Sequence, residues 1–177
     1  MSHEPLLVGI DFGSTNLKAI VFDTAGSVVA GASMPTPWRY PRTGWAYADP
    51  EEMWQTTAAA IRNAVAQVDR PERIVSVAAA SIGETGVPLD AQGQPTYDAI
   101  AWFDARTTRQ AEWLAEHVGR DRLFAITGMS LQPIFSLCKF LWMREHAPEA
   151  WARTVRWLNT ADYIAYRLSG ACATDYS

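Results

Sequence analysis

Three observations predict an α/β fold for this chain. Short apolar runs rich in β-branched residues crowd its first 33 positions and are divided by turn residues, a capped helix and a further strand follow, and helices dominate after Asp104. The runs Leu6–Asp11, Leu17–Phe22 and Gly26–Ser33 read as strands, with Asp23-Thr-Ala-Gly26 as a hairpin turn. Links this short cannot cross over to a parallel neighbour, so the chain opens with an antiparallel three-stranded meander.

Pro35 to Asp49 shows no strand or helix period and contains three prolines and Gly44, so it reads as a loop of about fifteen residues, a length that often carries function. A helix start ends it: Asp49 is placed to cap, Pro50 takes the first helical position and Glu52 follows the cap by three. Trp54, Ala58, Ile61, Val65 and Val68 then recur at helical spacing as one buried face. Arg73–Ala80 reads as a buried strand, Val87-Pro-Leu-Asp90 with Gly93 as a hairpin, and Ala99–Phe103 as a short strand. Helices are expected over Arg106–His117, Arg120–Ile126 (closed by Gly128), Ser136–Glu145, Pro148–Thr154 and Ala161–Leu168 (ended by Gly170), with a strand at Val155–Leu158.

Of the 177 residues, 49% are hydrophobic and 19% charged, which excludes a disordered chain. With 15 Lys and Arg against 19 Asp and Glu the net charge is −4, which excludes a nucleic-acid binder held mainly by phosphate contacts. No apolar run reaches the ~18 residues of a membrane span. Two cysteines, Cys138 and Cys172, cannot build a disulfide scaffold, which fits a cytoplasmic protein. His3, His117 and His146 are scattered and do not suggest a metal site.

The strongest chemical signal is Gly9-Ile-Asp11-Phe-Gly13-Ser14-Thr15-Asn16-Leu-Lys18. A strand delivers Asp11 to its end, Gly13 permits a tight turn, and Ser14, Thr15 and Asn16 offer hydroxyl, amide and backbone N–H donors within that turn. Convergent donors of this kind form an anion nest, to which Lys18 adds a point charge. Asp11 is placed to hold Mg²⁺, because magnesium takes few carboxylates and keeps several waters. The P-loop pattern is absent, and Asp11-Phe-Gly13 has only ten residues before it, too few for a protein-kinase catalytic loop. A plain hairpin turn is the competing reading.

This stretch resembles the first phosphate loop of the sugar kinase, heat-shock chaperone and actin superfamily. The motifs that follow narrow the resemblance: Gly44-Trp-Ala-Tyr-Ala-Asp49-Pro-Glu-Glu-Met-Trp54, Ala101-Trp-Phe-Asp104-Ala-Arg106-Thr, Thr127-Gly128, Phe135-Ser-Leu-Cys-Lys139-Phe-Leu-Trp142, Trp157 to Gly170, and Thr174-Asp-Tyr-Ser177. In this order they resemble the N-terminal part of the FGGY family of carbohydrate kinases, over nearly the whole chain. The resemblance implies a ribonuclease-H-like, actin-like ATPase domain with a mixed sheet flanked by helices. It would span 1–177 as the first of two lobes, with the C-terminal lobe absent. It further implies transfer of the γ-phosphoryl of MgATP to a hydroxyl of a sugar, sugar acid or polyol. By position, Asp11 matches the magnesium-associated aspartate, Gly13, Ser14, Thr15 and Asn16 the phosphate loop, and Lys18 a basic residue of that loop. Glu84, in Ser81-Ile-Gly-Glu-Thr85, matches a substrate-loop glutamate of the glycerol kinase type. The arginine preceding that glutamate is Gly83 here, and Ile134 stands where glycerol kinase has a tyrosine, so the sugar is left open. The family's general base is an aspartate further along, so no catalytic base is expected among these residues.

Trp45, in the long loop, and Asp104 with Arg106, after a strand end, are further candidates for contact with the acceptor. Asp104 could equally cap the helix that follows it, Glu84 could be a plain turn residue, and Lys139, on an apolar helix, could serve a site or pair with an acid. A lone lobe would expose apolar surface, predicting dimerisation or poor solubility. From another class, the alternative is a non-catalytic nucleotide-binding or regulatory module of the actin and chaperone superfamily.

Overall fold

The computed structural model describes residues 4–174, so His3 and the end of the Thr174-Asp-Tyr-Ser177 motif lie outside the described residues. Its elements run β1 (Leu6–Phe12), β2 (Asn16–Asp23), β3 (Val28–Pro35), β4 (Tyr47–Ala48), α1 (Pro50–Val65), β5 (Ile74–Ser81), β6 (Gly86–Leu89), β7 (Ala99–Ile100), α2 (Thr108–His117), α3 (Arg120–Thr127), α4 (Ser136–His146), α5 (Pro148–Arg153), β8 (Arg156–Asn159) and α6 (Thr160–Ser169). No helix among the described residues is long and apolar enough to cross a membrane. The chain divides into two compact units. The segments up to Pro37, Asp49–Gly83 and from Leu158 onward make the first, and Trp38–Ala48 with Glu84–Trp157 the second.

The first unit is built on a four-stranded sheet ordered β3-β2-β1-β5, in which β1 pairs antiparallel with β2 and parallel with β5. The expected meander is present. Its second turn, between β2 and β3, is tied by the Asp23 carboxylate, whose Oδ1 accepts from the N–H groups of Ala25 and Ser27 at 2.9 and 2.8 Å. Alternation assigns the two faces of β1: Leu6, Val8, Ile10 and Phe12 are buried, which puts Asp11 on the opposite face. Leu17, Ala19 and Val21 of β2 complete that buried layer.

The start of α1 is as the sequence reads: Asp49 Oδ1 accepts from Glu52 N–H at 2.9 Å, with Pro50 in the first turn. Its buried face is different. Met53, Thr57, Ala60 and Ala64 are buried, as is Val68 beyond the helix end, whereas Trp54, Ala58, Ile61 and Val65 are half-buried. The helix turns its smaller side chains toward β2 and β3, which lets backbone and sheet approach closely. A second correction concerns β5. The strand forms, but Val75 and Val77 are 67% and 44% exposed, because β5 ends the sheet with β1 as its one strand neighbour. Helix α6 packs on β5, Ala161 N–H donating to Ser81 Oγ at 3.0 Å. It also reaches α1 through Arg167, whose Nη1 lies 2.7 Å from Glu51 Oε2.

In the second unit the loop before α1 is more ordered than expected. Arg39 and Tyr47 exchange backbone hydrogen bonds at 2.7 and 3.1 Å, and β4 pairs with β7, so the segment folds as a small hairpin. Gly44 sits in its turn at φ +78°, a conformation that costs other residues strain. Strand β7 is shorter than expected because Asp104 N–H donates to Ala101 C=O, turning the chain at once. The helix after Asp104 begins with a 3₁₀ turn, Ala105–Thr107, before α2. Helices α2, α3 and α4 enclose a core of Ala111, Leu114, Leu123, Leu131 and Cys138. A second cluster gathers Ile100, Trp142 and Met143 with Trp45, Tyr97, Trp151 and Trp157.

Candidate functional site

The phosphate-loop candidates lie in the turn between β1 and β2 and on the strand ends that flank it. Asp11 and Lys18 are direct cross-strand partners, both exposed. Between them Gly13 N–H donates to Asn16 C=O at 3.1 Å, closing the turn on itself. A Cβ at Gly13 would stand 2.8 Å from that carbonyl oxygen, so the turn has no room for a side chain there. Ser14 is half-buried, and Thr15 and Asn16 are exposed. Thr36, which sequence reasoning missed, is a brace: its Oγ1 donates to Gly13 C=O at 2.7 Å and its N–H to Thr15 C=O at 3.0 Å. Nothing local marks it, since Thr36 and Gly13 lie 23 residues apart. An exposed carboxylate, an exposed ammonium and a tight turn of small polar residues suit a magnesium-bound phosphate chain. Among the described residues no three His, Cys, Asp or Glu side chains cluster to hold a metal by themselves, so an ion at Asp11 would take its other ligands from phosphate and water.

In the second unit, Trp45, Asp104 and Arg106 come together. Asp104 is 2% exposed, and its carboxylate accepts from Ala46 N–H at 2.6 Å, from Arg106 N–H at 2.8 Å, and from Arg106 Nε and Nη2 at 2.9 and 2.8 Å. Of the two roles open to Asp104, the cap is made, and its oxygens are occupied by the protein itself. Arg106 in turn lies over Trp45, its guanidinium carbon 4.0 Å from the ring centre, and Arg42 lies at 3.6 Å from the same ring. Trp45 is half-buried and meets Trp142 edge-on, the ring centres 5.6 Å apart.

Glu84 belongs to the same unit and is no plain turn residue. Its backbone is left-handed at φ 57°, the one non-glycine residue so placed among those described. Oε2 accepts from Ser136 N–H at 2.5 Å and Ser136 Oγ at 2.9 Å, so Glu84 supplies the N-terminal cap that α4 lacks locally. Both of these bonds use Oε2, leaving Oε1 outside them. The side chain borders a hollow of about 230 Å³ with a mostly apolar lining that includes Leu123, Met129, Leu131 and Phe135. Beneath, Lys139 is wholly buried and donates through Nζ to Glu84 C=O and, at 3.1 Å, to Ile134 C=O. Burial pulls the Lys139 ammonium down to about 8 and pushes the neighbouring Cys138 thiol up to about 11. A lysine on an apolar helix was the visible signal; its partners, 55 and 5 residues away, were not.

The chain matches the model of the N-terminal domain of the FGGY family of carbohydrate kinases over residues 6–177. It is 38% identical over 146 residues to a glycerol kinase of Methylorubrum extorquens, which covers 81% of this chain and 29% of that one. With a glycerol kinase of Rhodospirillum centenum the figures are 34% over 176 residues, 96% and 35%. The chain thus spans about a third of the length of these relatives. Among solved structures it resembles a xylulose kinase from Rhodospirillum rubrum (TM-score 0.88, 25% identity, 96% of this chain and 35% of that one). A gluconate kinase from Lactobacillus acidophilus shares the fold (TM-score 0.88, 22% identity, 96% and 34%). The mixed sheet flanked by helices is therefore the actin-like ATPase fold of these kinases, and the chain belongs to the FGGY family of carbohydrate kinases.

Proposed function

We propose that this chain is the N-terminal part of an ATP-dependent kinase that phosphorylates a hydroxyl of a sugar, sugar acid or polyol. The observation that carries the reading is the β1–β2 turn. An exposed strand-end carboxylate, Asp11, faces an exposed Lys18 across a turn too tight for any residue but glycine at position 13. In this reading the Gly13–Asn16 backbone, with the hydroxyls of Ser14 and Thr15, holds phosphate oxygens, Lys18 offsets their charge and Asp11 holds Mg²⁺. The ion, when bound with ATP, neutralises charge on the phosphates. Glu84 receives an acceptor hydroxyl on Oε1, the oxygen its cap on α4 leaves available. Trp45, whose two faces are covered by Arg42 and Arg106, offers a ring edge to the carbon skeleton, and Asp104 and Arg106 act through Trp45 by holding it. The relatives include glycerol and xylulose kinases, and Gly83, where a side chain would meet nothing within 4 Å, leaves space beside Glu84.

No carboxylate here is assigned as general base. Asp11 is committed to magnesium and Glu84 to binding, so the base belongs to a lobe beyond these residues. Absence of a base typically costs about 10²–10⁴-fold in rate, and an incomplete cleft orients the acceptor poorly. The chain taken alone should release no sugar-dependent ADP when mixed with MgATP and a panel of polyols, pentuloses, hexuloses and aldonates. Turnover at ordinary kinase rates of ~1–100 s⁻¹ would overturn the assignment of the base. In the protein that carries the missing lobe, Asp11→Ala should lower turnover by orders of magnitude with saturating magnesium. Normal kinetics in that variant would sink the phosphate-loop reading.

A further inference from the structure

We propose that Lys139 is a positioning residue for Glu84, fixing the left-handed backbone from which the Glu84 carboxylate reaches its place. The inference rests on the reading of Glu84 as an acceptor-binding residue. Left-handed backbone is unfavourable for a glutamate, because its Cβ crowds the following carbonyl, and such residues persist where their surroundings over-determine them. Here the constraint comes from two sides. Ser136 fixes the carboxylate through its N–H and hydroxyl, while Lys139, one turn further along α4, fixes the backbone carbonyl of the same residue.

The geometry of Lys139 suits this task. It is fully buried, and the segments it joins, at Glu84 and Ile134, are 50 positions apart in sequence yet converge on one nitrogen. An ammonium has three N–H donors and a neutral amine two, so both carbonyls remain served in either protonation state. The lowered proton affinity of Lys139 accords with this burial. Its charged neighbours are Glu84, Asp104 and Arg106, with the Cys138 thiol beside them, and the Glu84 and Asp104 carboxylates offset part of the cost of burying a cation. A hydrophobic side chain would pack the same volume without tying the two segments, so the lysine's distinctive contribution is the tie.

The test is a double-mutant cycle in the full-length kinase carrying this chain, reading KM for the acceptor, KM for ATP and the thermal midpoint. Lys139→Met should raise the acceptor KM about 10–100-fold, as small misplacements of a binding group do, and leave the ATP KM unchanged. Glu84→Ala should raise the acceptor KM similarly. The double variant should be no worse than Glu84→Ala alone, because the lysine acts through the glutamate. Additive effects on acceptor KM overturn the proposal, as does an unchanged acceptor KM in Lys139→Met while Glu84→Ala raises it. An unchanged acceptor KM in Glu84→Ala instead overturns the acceptor reading of Glu84, and the proposal with it. If Lys139→Met does not fold, Lys139→Gln, which can still donate to one carbonyl, takes its place in the cycle. Failure of both variants to fold overturns the proposal by showing that the lysine serves the fold.

Discussion

Arg106 holds its guanidinium 4.0 Å from the ring centre of Trp45 while Asp104 grips the same group through Nε and Nη2. The acid thus aims the arginine and the arginine aims the indole. Ala46 N–H, donating at 2.6 Å to Oδ2, the oxygen that also accepts from Nη2, brings the loop itself to the same anchor, 58 residues from Asp104. Residues expected from sequence to touch an acceptor separately are a single assembly in which one aromatic ring is presented by two buried charges.

Breaking that assembly should be costly. The side chains of Arg106 and Asp104 are 2% and 0% exposed, so Arg106→Met leaves a buried carboxylate with only backbone donors. We predict a loss of about 3–5 kcal/mol, the cost of orphaning one member of a buried pair. Chemical denaturation of the variant checks it. Trp45→Phe, which keeps both charges paired, should cost far less stability and should act on acceptor KM.

The turn at Gly13 makes a second prediction. Gly13→Ala must move the Asn16 carbonyl, and the turn opens to accept the methyl group. MgATP affinity should fall at least tenfold in a calorimetric titration, with the sheet intact by circular dichroism. Thr36→Val removes one brace from the same turn and should cost about 1 kcal/mol of stability, the net worth of a typical hydrogen bond.

The buried ammonium links stability to pH. Lys139 binds its proton with a folded-state pKa near 8 against 10.5 for the ordinary side chain, so between these values the unfolded chain holds more protons. The contribution of this group to stability is therefore fully present above pH 10.5 and is lost as pH falls through 8. Urea midpoints measured from pH 7 to pH 10 should carry an upward contribution from Lys139, which Lys139→Met abolishes; an unchanged slope in that variant would refute the assignment.

Thiol chemistry gives a fourth. Cys172 is exposed, whereas Cys138 is buried and its thiol is held near 11. A neutral aromatic disulfide reagent at pH 8 should titrate one thiol per folded chain and two in denaturant, since the thiolate is the reacting form.

What the sequence disclosed follows from the range of the interactions involved. The Asp49 cap and the Gly13 turn are written within four residues, and both stand in the structure as read. The buried face of α1 was misassigned because two apolar stripes run along it. Local periodicity favours the bulkier stripe with Trp54 and Ile61, while packing on β2 and β3 selects the slimmer one with Ala60 and Ala64. The run Arg73–Ala80 reads as buried on hydropathy alone, but hydropathy does not count a strand's neighbours. The clasp on Glu84 joins residues 52 and 55 positions apart, so no local pattern foretells that Ser136 and Lys139 meet it.

The two units interleave along the chain, and this bears on how the protein emerges from the ribosome. Residues 38–48 belong with a partner segment that begins at Glu84, and the sheet of the first unit, on which α1 packs, gains its second helix, α6, only from residue 160 onward. Neither unit is a continuous stretch that can finish folding while the next is being synthesised. Domains made as continuous segments generally fold one after another during translation. Here β5 must wait through the synthesis of nearly eighty further residues before α6 arrives to pack on it. Synthesis speed over that interval, and chaperone occupancy during it, should therefore govern the yield of folded protein more than the final stability of either unit.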